Sequence, residues 1–292
     1  MKLRIGTRGS RLALVQARHV AASLEARGHE TELVIISTKG DRVTDRPFSA
    51  IGPPGVFVRE IETALLEERI EVAVHSYKDL PTASPDGLVV AAVPERVDPA
   101  DVLVLDAGGD GLDGLPAGAV VGTSSSRRAA LVRDARPDLR TEGLRGNVPT
   151  RLRKCREEPY DAIVLAAAGV DRLRADGLEM IEGQQLVRLP PDTFVPAPSQ
   201  GALALQVKAG TPAGEAVAEL DDPAVRVAVA AERAVLAALE GGCDAAIGAW
   251  CHATDEGFAL IAAFGTDDGV RRARAEGDDL ASLVASVVEA LR

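Results

Sequence analysis

The sequence predicts an α/β protein built of two similar halves, followed by a small α+β domain at its C-terminal end. Three observations carry this. Strand-like apolar runs alternate with helix-patterned segments from the start of the chain to about residue 166. The element order of the first half returns in the second without any repeat of sequence, so the likeness is architectural and not that of a solenoid. After Pro223 the pattern changes to an Ala-rich helix and then to short alternating strands.

The elements follow in order. A strand is expected over 2–7, a helix over 10–27, a strand over 31–38, a helix over 56–69 and a strand over 71–75. The loop around Pro94 to Pro99 closes this set. The second set is a strand over 119–122, a helix over 125–135, a strand over 139–144, a helix over 148–157 and a strand over 161–166. The proline-rich stretch 189–198 interrupts regular structure and reads as a crossing segment and hinge between lobes. The last domain is a long helix ending at Gly241-Gly242, strands near 246–253, 257–264 and 270–276, and a final helix. The expected domains are 1–95 with 196–214, then 100–190, then 218–292.

Composition narrows the function classes. The 292 residues hold 33 Lys/Arg against 44 Asp/Glu, a net charge of −11, and 46% are hydrophobic, which suits several packed domains and excludes a disordered chain. No apolar run approaches the roughly 18 residues of a membrane span, and the opening MKLRIG lacks the apolar stretch of a secretory signal, so a cytoplasmic location without a membrane partner is expected. Cys155, Cys243 and Cys251 are an odd set without CxxC spacing, which suggests neither disulfides nor a metal site. Eight aromatic residues are too few for base-stacking platforms, so an acidic chain like this is a poor candidate for nucleic-acid binding.

Charge is concentrated. Residues 122–156 carry ten Lys/Arg against Asp134, Asp138 and Glu142, a local +7, while the rest of the chain is −18. Such a cluster either holds something anionic or forms a solvated helix face. Three strand-to-helix junctions give it shape. Gly6-Thr7-Arg8-Gly9-Ser10 places an N-capping serine beside Arg8, which reads either as a capped tight turn or as an anion site. Gly122-Thr123-Ser124-Ser125-Ser126-Arg127-Arg128 puts two guanidiniums where the helix dipole disfavours cations, a placement that makes sense if a polyanion lies between them. Leu144-Arg145-Gly146-Asn147 with Arg151 one turn further on resembles the other two.

Two further spots carry ionisable chemistry. In Val74-His75-Ser76-Tyr77-Lys78-Asp79 an apolar strand ends in a polar cluster, where open α/β sheets place ligands. Asp79 is the acid/base candidate, able to stabilise a cation or shuttle a proton, or else a strand-end cap; His75 reads best as a buried, satisfied histidine. Cys243 follows the glycines that end a helix, and is either a reachable loop thiol or a small buried hydrophobe. Cys155 and Cys251 are expected to be buried, and Cys251-His252 finds no further ligands at metal-binding spacing.

Taken in order, six stretches resemble the porphobilinogen deaminase (hydroxymethylbilane synthase) family over nearly the whole chain. They are Arg4 to Ser10, Val74 to Asp79, Val121 to Ser125, Leu144 to Asn147, Pro196 to Ala202 and Glu240 to Cys243. The resemblance implies a transferase that joins four porphobilinogen molecules head to tail with loss of ammonia, giving hydroxymethylbilane for haem-type tetrapyrrole synthesis. It implies two lobes like those of periplasmic binding proteins, with mixed sheets, and a covalent dipyrromethane cofactor held by Cys243 through a thioether. Asp79 matches the catalytic carboxylate. Lys78, Ser76, Thr123, Ser125, Arg127, Arg128 and Arg151 match cofactor contacts, and Arg8, Ser10, Arg145, Arg151, Arg172, Gln200 and Phe57 match substrate contacts. The substrate's acetate and propionate groups give the arginine cluster a purpose. The family often has a lysine in the loop before the second helix, where this chain has Ile51-Gly52-Pro53-Pro54-Gly55-Val56-Phe57. A monomer without nucleic-acid or membrane partners is expected. The competing reading is a non-catalytic two-lobed binder of small polycarboxylates, in which Cys243 has no duty.

Overall fold

The computed structural model describes residues 1–38, 58–106, 108–239 and 245–292. The chain divides into two units: Met1–Val97 with Ala202–Val227, and Asp98–Gly201 with Ala228–Arg292.

The first unit is a five-stranded mixed sheet. Its strands are β1 (Lys2–Thr7), β2 (Glu30–Ile35), β3 (Val72–Ser76), β4 (Leu88–Ala92) and, from the returning chain, β10 (Leu203–Lys208), in the order β2-β1-β3-β10-β4. β1 runs parallel to β2 and β3, with Ile5 opposite Leu33 and Val72, while β10 is antiparallel to β3 and β4. Alternation along the strands decides which helix covers which face. Leu3, Ile5, Val72, Val74 and Leu205 meet helix α1 (Arg11–Glu25) through Ala17, Val20, Ala21 and Leu24. On the other face Ala73 packs with Ile36, Ile70 and Leu88 against Ile61, Ala64 and Leu65 of α2 (Arg59–Leu66). Burying the Val, Leu and Ile side chains among these contributes on the order of 1.5–3 kcal/mol each to cohesion.

The second unit repeats the plan. β5 (Asp101–Leu105), β6 (Val120–Gly122), β7 (Arg140–Glu142), β8 (Ala162–Ala166) and β9 (Gln185–Leu189) take the order β7-β6-β8-β5-β9. β6 is parallel to β7 and β8, and β5 is antiparallel to β8 and β9. Helices α3 (Ser126–Ala135), α4 (Val148–Glu157) and α5 (Ala167–Ala175) follow β6, β7 and β8. Thus β5 occupies in this sheet the place that β10 occupies in the first. Neither β5 nor β10 belongs to the βαβ rhythm of the sequence, and both arrive along the proline-bearing connections.

Two more helices, α6 (Pro212–Ala218) and α7 (Pro223–Ala238), lead to the C-terminal region. There β11 (Ile247–Thr254), β12 (Gly257–Thr266) and β13 (Gly269–Gly277) form an antiparallel sheet, and α8 (Leu280–Leu291) ends the chain. One face of this sheet, with Ala249, Cys251, Leu260 and Ala262, packs on Val235 of α7 and on Leu283, Val287 and Leu291 of α8. The other, with Ile261 and Ala263, joins Leu131 and Val132 of α3. Within the described residues the expected elements lie within a few residues of those observed, and α4 has the expected bounds; the expected helix start at 56 and helix end at Gly241-Gly242 lie outside the described residues.

Candidate active site

Both sheets reverse their strand order at one point, between β1 and β3 and between β6 and β8. The carboxyl ends of the strands at such a switch point are where open α/β sheets hold ligands. The motif residues stand there, each unit carrying its own set.

In the first unit β1 ends at Thr7, and Arg8 and Ser10 follow, both half-buried. Ser10 caps α1, its hydroxyl accepting from the Ala13 N–H at 3.4 Å, so the helix's unpaired first-turn donors open on this edge. β3 ends in a single 3-10 turn, Tyr77–Asp79, whose Asp79 is exposed while Leu80 beyond it is buried. The Gln16 side chain of α1 bonds the Ser76 hydroxyl at 2.9 Å, fastening the two loops to each other. Lys78 is half-buried and partnered. The structure thus brings Arg8, Ser10, Ser76, Lys78 and Asp79 to one edge; Gln16, which nothing in the motifs marked, aligns them.

Directly behind that turn lies a polar chain. His75 is buried, its Nε2 3.0 Å from Gln206 Oε1, and Gln206 Nε2 donates to Glu62 Oε1 at 3.1 Å. Because Gln206 spends its N–H on the carboxylate, its carbonyl oxygen faces the imidazole and Nε2 carries the proton. Desolvation lowers the His75 pKa to about 4, against the opposing effect of its hydrogen bond to Gln206 Oε1. This is the buried, satisfied histidine expected from the sequence.

In the second unit the edge is made by three helix starts. Thr123 is buried, its Oγ1 accepting from the Ser125 N–H at 3.2 Å, and Ser125 caps α3 by accepting from the Arg128 N–H at 3.4 Å. Ser124 Oγ donates to Leu144 O at 2.8 Å, joining the loops after β6 and β7. Asn147 caps α4 through the Thr150 N–H at 3.0 Å. Gly146 before it has φ +116, and a Cβ there would lie 2.8 Å from Thr150, so only glycine makes this turn. Arg145 and Arg151 are half-buried, and Arg151 Nε donates to Gly146 O at 2.7 Å. Arg172 on α5 donates to Gly201 O at 2.9 Å, and desolvation lowers its pKa to about 10, with no acid among the described residues offsetting it.

Three expected contacts are placed differently from a ligand-lining position. Arg127 and Arg128 are 4% and 6% exposed, and their carboxylate partner is Asp101 of the chain itself, at 2.7 Å from each. The polyanion that their position called for is met, in part, by this one buried acid. Gln200 is fully buried, its amide donating to Asp101 Oδ1 at 3.0 Å and to Pro99 O at 2.8 Å. Asp101 itself left no mark in the sequence, because an acid opening an apolar strand looks like a turn residue. Cys243 and Phe57, and the loop 51–57, lie outside the described residues. Cys155 and Cys251 are buried, and His252 stacks on Trp250 with centroids 4.1 Å apart. Among the described residues no cluster of His, Cys, Asp or Glu is placed to hold a metal ion, and no helix is long and apolar enough to cross a membrane.

Hydroxyls, helix N-termini and guanidiniums at a sheet edge fit a ligand bearing several carboxylates. Residues 3–215 match "Porphobilinogen deaminase, dipyromethane cofactor binding domain" and residues 227–291 match "Porphobilinogen deaminase, C-terminal domain". The chain belongs to the porphobilinogen deaminase family. The porphobilinogen deaminase of Syntrophobacter fumaroxidans is 44% identical over 94% of this chain and 87% of its own length. That of Rubrobacter xylanophilus is 48% identical over 92% and 86%, and that of Brevibacillus brevis 44% identical over 99% and 94%. Among solved structures, a periplasmic substrate-binding protein of an ABC transporter from Coxiella burnetii aligns over 77% of this chain and 94% of its own with a TM-score of 0.44 at 14% identity. Among the described residues, a group bearing carboxylates would find Arg172 desolvated and Arg127 Nε buried without an acceptor.

Proposed function

We propose that this chain joins four porphobilinogen molecules head to tail, releasing one ammonia for each, to give the linear tetrapyrrole hydroxymethylbilane. The family match across residues 3–215 and 227–291 carries the reading, and the placement of Asp79 and the arginines on the carboxyl edges of the two sheets supports it. A dipyrromethane, attached to Cys243 by a thioether, would supply the terminal pyrrole carbon to which the first unit is joined. Lys78, Ser76, Thr123, Ser125 and Arg151 would hold its carboxylates, with Arg127 and Arg128 behind them. Arg8, Ser10, Arg145, Arg151 and Arg172 would receive the acetate and propionate of incoming substrate.

In this reading Asp79 does the chemistry. Loss of ammonia from the aminomethyl carbon leaves a pyrrole cation, and a fixed carboxylate lowers the energy of that charge as it develops. The cation takes the electron pair of the neighbouring pyrrole's free carbon, forming the new C–C bond. The proton on that carbon then leaves, and Asp79, on an exposed turn, can accept it and pass it to solvent. The arginines orient both rings by bidentate pairing, which converts an encounter into a held geometry.

The division into 1–95 with 196–214, 100–190 and 218–292, a monomeric state, a cytoplasmic location and the absence of nucleic-acid partners belong to the same proposal. Incubation with porphobilinogen tests it: one ammonia per substrate consumed, with appearance of a linear tetrapyrrole, is expected. Tight binding without consumption would instead identify a polycarboxylate binder.

A further inference from the structure

Asp101 is the first residue of β5, fully buried, its backbone held in register by Ala166 on one side and Leu189 on the other. Its Oδ1 accepts from Arg128 Nε at 3.0 Å, from the Arg128 terminal nitrogen at 2.7 Å and from Gln200 Nε2 at 3.0 Å. Oδ2 accepts from Arg127 at 2.7 Å. Each guanidinium is fixed at a second point, Arg127 on Val195 O at 2.7 Å and Arg128 on Val164 O at 3.0 Å. Four charge-assisted or amide hydrogen bonds on one immobile carboxylate leave these side chains a single arrangement.

The charges do not balance. Burial alone would raise the Asp101 carboxyl, but Arg127 and Arg128 beside it hold it well below the usual carboxylate range. Among the described residues one anion therefore faces two cations, and Arg127 Nε is buried without an acceptor. A cluster built only for stability gains nothing from an uncompensated buried guanidinium, since an unpaired buried charge is costly. The surplus charge sits in the first turn of α3, beside Thr123 and Ser125.

We propose that Asp101 is a positioning residue: it fixes the forks of Arg127 and Arg128 and, through Gln200, fastens segment 195–201 to the same carboxylate, so that the α3 turn offers its surplus positive charge in one geometry. The inference rests on the deaminase reading, in which the ligand is a polycarboxylate, and adds to it a residue that touches no ligand.

The test compares wild type with Asp101→Asn and Gln200→Leu. Three quantities are read: the fraction of chains carrying a pyrrole adduct by intact mass, the unfolding midpoint, and KM and kcat for porphobilinogen. Asp101→Asn keeps the shape and loses the charge, and is expected to load less adduct and to raise KM about tenfold, the effect of misplacing one charge-assisted hydrogen bond, with a smaller change in kcat. Gln200→Leu is expected to shift KM and loading in the same direction by less. A folded Asp101→Asn protein with a lowered midpoint but wild-type loading and KM would overturn the proposal. If Asp101→Asn does not fold, Gln200→Leu decides: wild-type loading and KM overturn it, and a raised KM upholds it. Wild type separates the two readings, because a wild-type protein that neither loads nor turns over refutes the deaminase activity and not the role of Asp101.

Discussion

His75 Nε2 and Gln206 Oε1 lie 3.0 Å apart in a buried chain that ends on the Glu62 carboxylate, immediately behind the turn carrying Asp79. The His75 pKa, lowered to about 4 by burial, keeps the imidazole neutral in the folded protein, whereas an unfolded histidine titrates near 6.5. The unfolded chain therefore binds the extra proton first. Stability from this group is complete above pH 6.5 and is lost as pH falls from there towards 4, by a total of about 3 kcal/mol. Urea unfolding between pH 7.5 and 4.5 should show that loss in wild type and a flatter profile in His75→Gln. Parallel profiles would mean that His75 is not the titrating group.

Asp79→Asn should fold with an unchanged unfolding midpoint, since Asp79 is exposed and holds no packed contact of the core. It should keep its adduct and lose turnover by on the order of 10²-fold or more, the size of a removed charge-stabilising group. Single-turnover ammonia release measures this directly. A fully active variant would remove Asp79 from the chemistry.

Arg145→Ala and Arg151→Ala each take one guanidinium from the edge of the second unit. An unpaired substrate carboxylate should lower kcat/KM by roughly 10- to 100-fold. The damage should grow with chain length, so enzyme carrying partly extended chains should accumulate on native gels. Normal steady-state kinetics in both variants would count against the carboxylate assignment.

How much of this the residues disclosed on their own differs by element. The βαβ segments and α4 were legible because apolar periodicity, N-caps such as Ser10 and Asn147, and glycine junctions are local signals. β5 and β10 were not. Each is a short apolar run that takes its place by pairing antiparallel with strands far off in the chain, β5 with β8 and β9 and β10 with β3 and β4. That choice lies in tertiary contact, which no local pattern encodes. The same distance hid Asp101 from Arg127 and Arg128, and with it the reason that two cations tolerate a helix N-terminus.

Ser199 offers a test of local strain. It is a non-glycine residue at φ +64, fully buried, with its Oγ lacking a partner among the described residues, while its backbone N–H donates to Glu232 at 2.7 Å. Glycine at this position would keep that bond, relieve the left-handed strain and remove the orphaned hydroxyl. Ser199→Gly should therefore stabilise the protein by about 1 kcal/mol, a rise of roughly 2 °C in unfolding midpoint. A lowered midpoint would show that the hydroxyl has a partner.

Whether a pyrrole primer on Cys243 is extended at these sheet edges is decided by the mass of the intact protein. Purified wild type, incubated with porphobilinogen, should exceed its sequence mass by two linked pyrrole units and by further single units during turnover, and Cys243→Ser should carry none. A folded wild-type protein that remains at its sequence mass after that incubation, or a Cys243→Ser protein that carries the same adduct, would rule out a primer on Cys243.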